Sequence, residues 1–142
     1  KYGVKIPSDY DLGDMMRLLI AILASFFIFV AQSHSEQLIE SYGAYIGDED
    51  LYNSKGARLS HAWQIVRQDR ANFHRFGRTQ PGDEGDNYFG SIDNRAALEN
   101  MIRRGAMSAQ TAQRIEQGYV QIFVDIYGVG DRVDYINISV GQ

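Results

Sequence analysis

Residues 119–140 read YVQIFVDIYGVGDRVDYINISV, and the fold class turns on this stretch. Val120, Ile122, Val124 and Ile126 alternate with Gln121, Phe123, Asp125 and Tyr127, so a period of two gathers four branched side chains on one face of a strand. Gly128, Val129, Gly130 and Asp131 supply a turn. Residues 133–140 then offer a partner strand with Ile136, Ile138 and Val140 on one face, and the pair reads as an antiparallel hairpin. Tyr119, Tyr127 and Tyr135 fall on the opposite parity, as an expected aromatic ladder on the outer face.

Upstream of the hairpin the period lengthens. Ser60 is the expected N-cap of a helix running to Phe76 and stopped by Gly77, and Asp93 that of a second helix through Arg104, stopped by Gly105. Ser108 opens a short third helix that ends near Gly118. Residues 41–46 are rich in tyrosine and β-compatible side chains and predict a first strand. Residues 48–58 read as a loop, with turn chemistry at Asn53, Ser54, Lys55 and Gly56. Residues 77–90, holding Pro81 and four glycines, predict a long surface loop. The order strand, three helices, hairpin predicts a small single α+β domain with an antiparallel sheet of about three strands packed against about three helices.

The segment before this domain has a different character. Met15, Met16 and Arg17 precede thirteen apolar or small residues, Leu18 to Val30, and then Ala31, Gln32 and Ser33. That order predicts a cleavable secretory signal over residues 15–33, with cleavage before His34 or, second, after Ser35. A membrane span needs about 20 apolar residues, more than this run supplies. Residues 1–14, where Asp9, Asp11 and Asp14 outweigh Lys1 and Lys5, fit no signal and are expected to be upstream sequence. The domain is then residues 34–142, exported to the periplasm or the cell exterior.

Once the signal is removed, no stable membrane span is expected. The chain has no cysteine, which removes disulfides, acyl-cysteine anchors and cysteine-ligated metals from consideration. From His34 onward, Lys55 and ten arginines oppose 15 acidic residues, a net charge of 11 − 15 = −4, against nonspecific nucleic-acid binding. The acidic groups Asp48, Glu49, Asp50 and Asp83, Glu84, Asp86 flank an arginine-rich segment, and neighbouring patches of opposite sign are expected to pair within the fold.

Winding residues 59–76 at about 100° per residue sets Leu59, Ala62, Ile65, Val66, Phe73 and Phe76 on one stripe, with Asp69 in its middle. A carboxylate there needs a partner, and Arg58, Arg95 and Arg70 are the candidates. Beside the stripe, Trp63, Arg67, Arg70 and His74 form a second row whose donors suit a carboxylate or phosphate. Asp69, Arg70, Arg67 and His74 thus predict either a structural ion-pair network or a small enzyme or anion site, with Asp69 as base or orienting carboxylate. Three histidines in no paired motif, and residues 83–87 without calcium-loop spacing, point to no metal; no glycine-rich phosphate loop or other cofactor motif is present. Ser60 beside His61 has no glycine-framed elbow and reads as a cap rather than a nucleophile.

Residues 51–59 (LYNSKGARL) and 65–77 (IVRQDRANFHRFG) resemble small, uncharacterised exported bacterial proteins, over about a third of the exported domain. The resemblance implies no activity, cofactor or catalytic residue. Size, export, a tyrosine-bearing sheet and the lack of a catalytic motif lead to the expectation of a non-enzymatic binding module acting on an envelope protein or glycan.

Overall fold

The computed structural model describes Gly13 and residues 35–130 and 132–141. The expected signal over residues 15–33 and the upstream residues 1–14 lie outside the described residues, Gly13 apart. From Ser35 onward the elements are β1 (Gln37–Ile46), α1 (Ala62–Phe76), α2 (Ile92–Arg104), α3 (Ala109–Gln117), β2 (Val120–Val129) and β3 (Arg132–Val140). They build an α+β domain, and among the described residues no helix is long and apolar enough to cross a membrane.

The sheet is antiparallel in the order β1-β2-β3, so the hairpin's first strand lies at the centre. Tyr42, Ala44 and Ile46 stand opposite Val124, Ile122 and Val120, while Val124 and Ile126 stand opposite Ile138 and Ile136. These side chains share one face and are all buried, as the period of two requires. The helices cover this face with Ile65, Val66, Leu98, Met101 and Ile115. On the other face Leu38 and Phe123 are exposed, and Tyr127 stacks on Tyr135 with ring centroids 5.1 Å apart.

Several boundaries depart from the sequence reading for local reasons. β1 begins at Gln37 rather than Ser41, because a register shift between Leu38 and Glu40 lets the strand continue opposite the end of β2. His61, not Ser60, precedes α1 and makes no side-chain cap; Glu116 accepts the Ala62 N–H at 3.3 Å instead, tying α3 to the start of α1. Ser91, not Asp93, caps α2, its Oγ accepting the Asp93 N–H at 3.2 Å. Residues 48–50 and 88–90 each form a single 3-10 turn within the expected loops. β2 extends through Gly128 and Val129, so the turn is shorter than expected. Tyr119 does not join the tyrosine ladder: it takes φ 55° ahead of β2 and donates to Asp48 at 3.2 Å.

The long loop is fastened down as a strap along the free edge of β1. Glu84 accepts the Gly43 N–H at 2.6 Å and its own N–H donates to the Gly43 carbonyl at 2.8 Å. Asp83 accepts the Tyr45 N–H at 2.8 Å, and Asp50 accepts the Gly47 N–H at 3.0 Å. Edge donors that would otherwise invite another strand are therefore occupied by carboxylates.

Candidate functional site

Helix α1 carries the polar constellation, and its two sides have separate fates. Ala62, Ile65, Val66 and Asp69 are buried as the stripe predicts, but Phe76 lies at the frayed end of the stripe and is 46% exposed. Arg70 is the surprise: it lies four residues after Val66 and is fully buried. Its Nε donates to Asp69 at 2.7 Å, and its Nη1 to Asp86 and to the Glu84 carbonyl at 3.0 Å each. The guanidinium also packs against the rings of Tyr42 and Phe73, 4.3 and 4.9 Å from their centroids.

Asp86 is the hub of this network. One oxygen receives Arg70 and contacts His74 Nε2 at 2.7 Å, and the other accepts the Phe89 N–H at 2.5 Å. Asp86 is thus how the strap is locked to α1. Of the three arginines considered for Asp69, Arg70 is the partner. Arg58 instead donates to the Glu116 carbonyl at 2.9 Å, and Arg95 holds the carbonyls of Phe89 and Gly90. Both act on backbone, where a guanidinium satisfies carbonyls that a 3-10 turn or helix end leaves open.

The expected pairing of opposite patches occurs at Asp86 with Arg70 and, loosely, at Glu49 with Arg78, 3.6 Å apart and exposed. Asp83 and Glu84 do something the charge pattern does not disclose, accepting backbone N–H groups of β1, and Asp50 accepts that of Gly47 just past its end. Asp50 additionally accepts from Asn72 at 2.8 Å and Gln80 at 2.7 Å, and burial raises its pKa despite these donors. No local sequence signal discloses that role, because it depends on which side of β1 is left open by β2.

Arg67 and Trp63 point away from this network. They line an outward cleft beside α1 together with Gln64, Gln68 and Arg75, while Arg70 and Asp69 line neither of the two clefts on that side. The four-residue row of the sequence reading is therefore split between a buried half, Arg70 with His74 turned to Asp86, and an outward half, Trp63 with Arg67. Asp69 is 2% exposed, and this enclosure with a single arginine gives it no open approach for a substrate. Among the described residues no group of three or more histidine, aspartate or glutamate side chains is placed to hold a metal ion.

Burial dominates the electrostatics of Asp69. Desolvation outweighs the attraction of Arg70 and pushes its carboxyl up to about 7 from an ordinary value of 3.8. Tyr42 is likewise raised by burial. Because folded Asp69 keeps its proton to higher pH than the unfolded chain does, its contribution to stability is complete below about 4 and is lost as pH rises through about 7. Urea midpoints measured across this interval should fall with rising pH, and Asp69→Asn should flatten the dependence. An unchanged slope in the variant would assign the pH dependence to other groups.

No family model, curated protein or solved structure matches the chain.

Proposed function

We propose that the chain is an exported, non-catalytic binding domain that engages an envelope protein or glycan through the open face of its sheet. The observation that carries this reading is the set of large apolar side chains on that face: Leu38, 54% exposed, stands opposite Tyr127, which stacks on Tyr135, and Phe123, 49% exposed, lies further along β2 beyond Asp125. Aromatic side chains are enriched where one protein surface meets another, and this face presents three of them with Leu38 on a rigid sheet. The polar groups around it are already engaged. Ser41 donates to Asp125 at 2.7 Å and Tyr135 to Glu36 at 2.9 Å, which fixes the surface before any partner arrives. The leader composition supports export.

The reading is tested with Phe123→Ser and Leu38→Ser together. Both side chains are solvent-exposed, so the melt should stay close to that of the parent. Immobilised parent protein should retain an envelope protein or glycan that the double variant retains at least about fivefold less, since losing a buried aromatic anchor costs 1 kcal/mol or more. Equal retention by both proteins would overturn the assignment of this face.

A further inference from the structure

A cleft of about 350 Å³ runs along the outward side of α1, opposite the sheet. One wall is the i, i+4 row Trp63, Arg67, Ala71 and Arg75, and the other is the turn at Asn53 and Ser54. Its charge has one sign: two arginines line it and no aspartate or glutamate does. Arg67 is exposed, with no hydrogen bond or ion pair among the described residues. Among the described residues Arg75 meets only the Phe76 ring, 5.1 Å from its centroid.

Two of the three side-chain amides in the cleft have the same sense, whereas the third, Gln68, donates its NH₂ to Asn72 at 2.9 Å. The Asn53 side-chain oxygen already accepts the N–H groups of Lys55 and Ala57 at 2.9 and 3.0 Å, and the Gln64 oxygen accepts the Ser60 N–H at 3.2 Å. Each amide is thereby oriented with its NH₂ end left to give. A chain of net charge −4 thus holds a donor-rich pocket with two guanidinium groups that have no acidic partner among the described residues, which calls for a ligand rich in acceptors and negative charge.

We propose that this cleft binds an acidic saccharide, a short run of sugar rings bearing carboxylate or phosphate groups. Arg67 and Arg75 are eight residues apart, about 12 Å along the helix axis, and Ala71 leaves the space between them open. That separation suits acid groups repeated along a chain better than one small ion. Trp63 closes one end with a flat, half-buried ring, its orientation set by His61 stacked at 6.5 Å and 10°. The free NH₂ groups face the hydroxyl and ring oxygens of such a ligand. A nucleic acid would need a longer cationic track and more stacking rings than this cleft provides. The site is separate from the open sheet face, and either can fail without the other.

Trp63 is the only tryptophan of the chain, so its emission reports this cleft alone. Titration of the purified protein with trigalacturonate in about 20 mM salt should change the emission saturably, and raising salt to about 300 mM should weaken binding. A sugar phosphate should compete, and maltotriose, which is neutral, should not. Arg67→Gln and Arg75→Gln, both at exposed positions, should each weaken binding about tenfold while leaving the melt unchanged. The proposal is overturned by an absent or non-saturable response, by an equal response to maltotriose, by variants that bind like the parent, or by tighter binding of a triglutamate peptide or an oligonucleotide.

Discussion

Arg70→Met is expected to cost about 3–5 kcal/mol of folding stability, the largest effect of any single polar substitution in the domain. Methionine has nearly the reach of arginine and keeps the contacts with Tyr42 and Phe73, so what is lost is charge and hydrogen bonding rather than volume. Asp69 and Asp86, both buried, are left without their common donor, and the Glu84 carbonyl loses its bond as well. For a domain of this size the melting temperature should fall by roughly 20 °C. Arg67→Met, at an exposed position with no partner among the described residues, should shift it by no more than a few degrees and serves as the comparison. Equal melts for the two variants would show that the buried network contributes nothing beyond a surface arginine.

Gly105→Ala should cost about 3 kcal/mol by a different route. The backbone at Gly105 has φ −93°, which alanine adopts freely, so conformational strain is absent. Space is the obstacle: a Cβ there would sit 1.7 Å from the Ile136 carbonyl oxygen and 2.6 Å from its carbon. These are backbone atoms of β3, and they can yield only if the strand moves. The next residue, Ala106, accepts the Ile138 N–H at 2.9 Å, so the displacement would break the seam between the α2–α3 connection and the sheet. Gly56 supplies the converse case, with φ 76° and nothing within 4 Å of a Cβ. Gly56→Ala should cost only the left-handed penalty of about 1–2 kcal/mol. Thermal melts that rank Gly56→Ala as the worse of the two would refute the steric account.

The contrast between what was legible in the chain and what was not follows the range of the interactions. Val120 to Ile126 announce a half-buried strand because alternation is written in consecutive residues, and all four branched side chains are buried as that pattern demands. Gly77, Gly105 and Gly118 likewise mark the ends of the three helices they follow. Asp69 was legible as a carboxylate that needs a partner, with Arg70 one of three candidates beside Arg58 and Arg95. The depth of Arg70 was not, since its burial depends on Asp86, 16 residues away, folding over α1. Its side chain extends the core row from Val66, but a charge at that position reads as surface until the distant acceptor is known. The role of Asp83 and Glu84 was hidden for a related reason. Nothing local in residues 77–90 says which strand will lie at the sheet edge.

The strap also has a consequence for the order in which the chain is made. Glu84 follows its partner Gly43 by 41 residues, and Asp83 follows Tyr45 by 38. The strand that pairs with the other side of β1 begins only at Val120. In synthesis, then, the residues that pair along one side of β1 are made well before the strand that forms the centre of its sheet. A nascent chain that has reached the third helix already carries the residues that shield β1 from neighbouring chains, and the hairpin closes onto a strand whose outer margin is occupied.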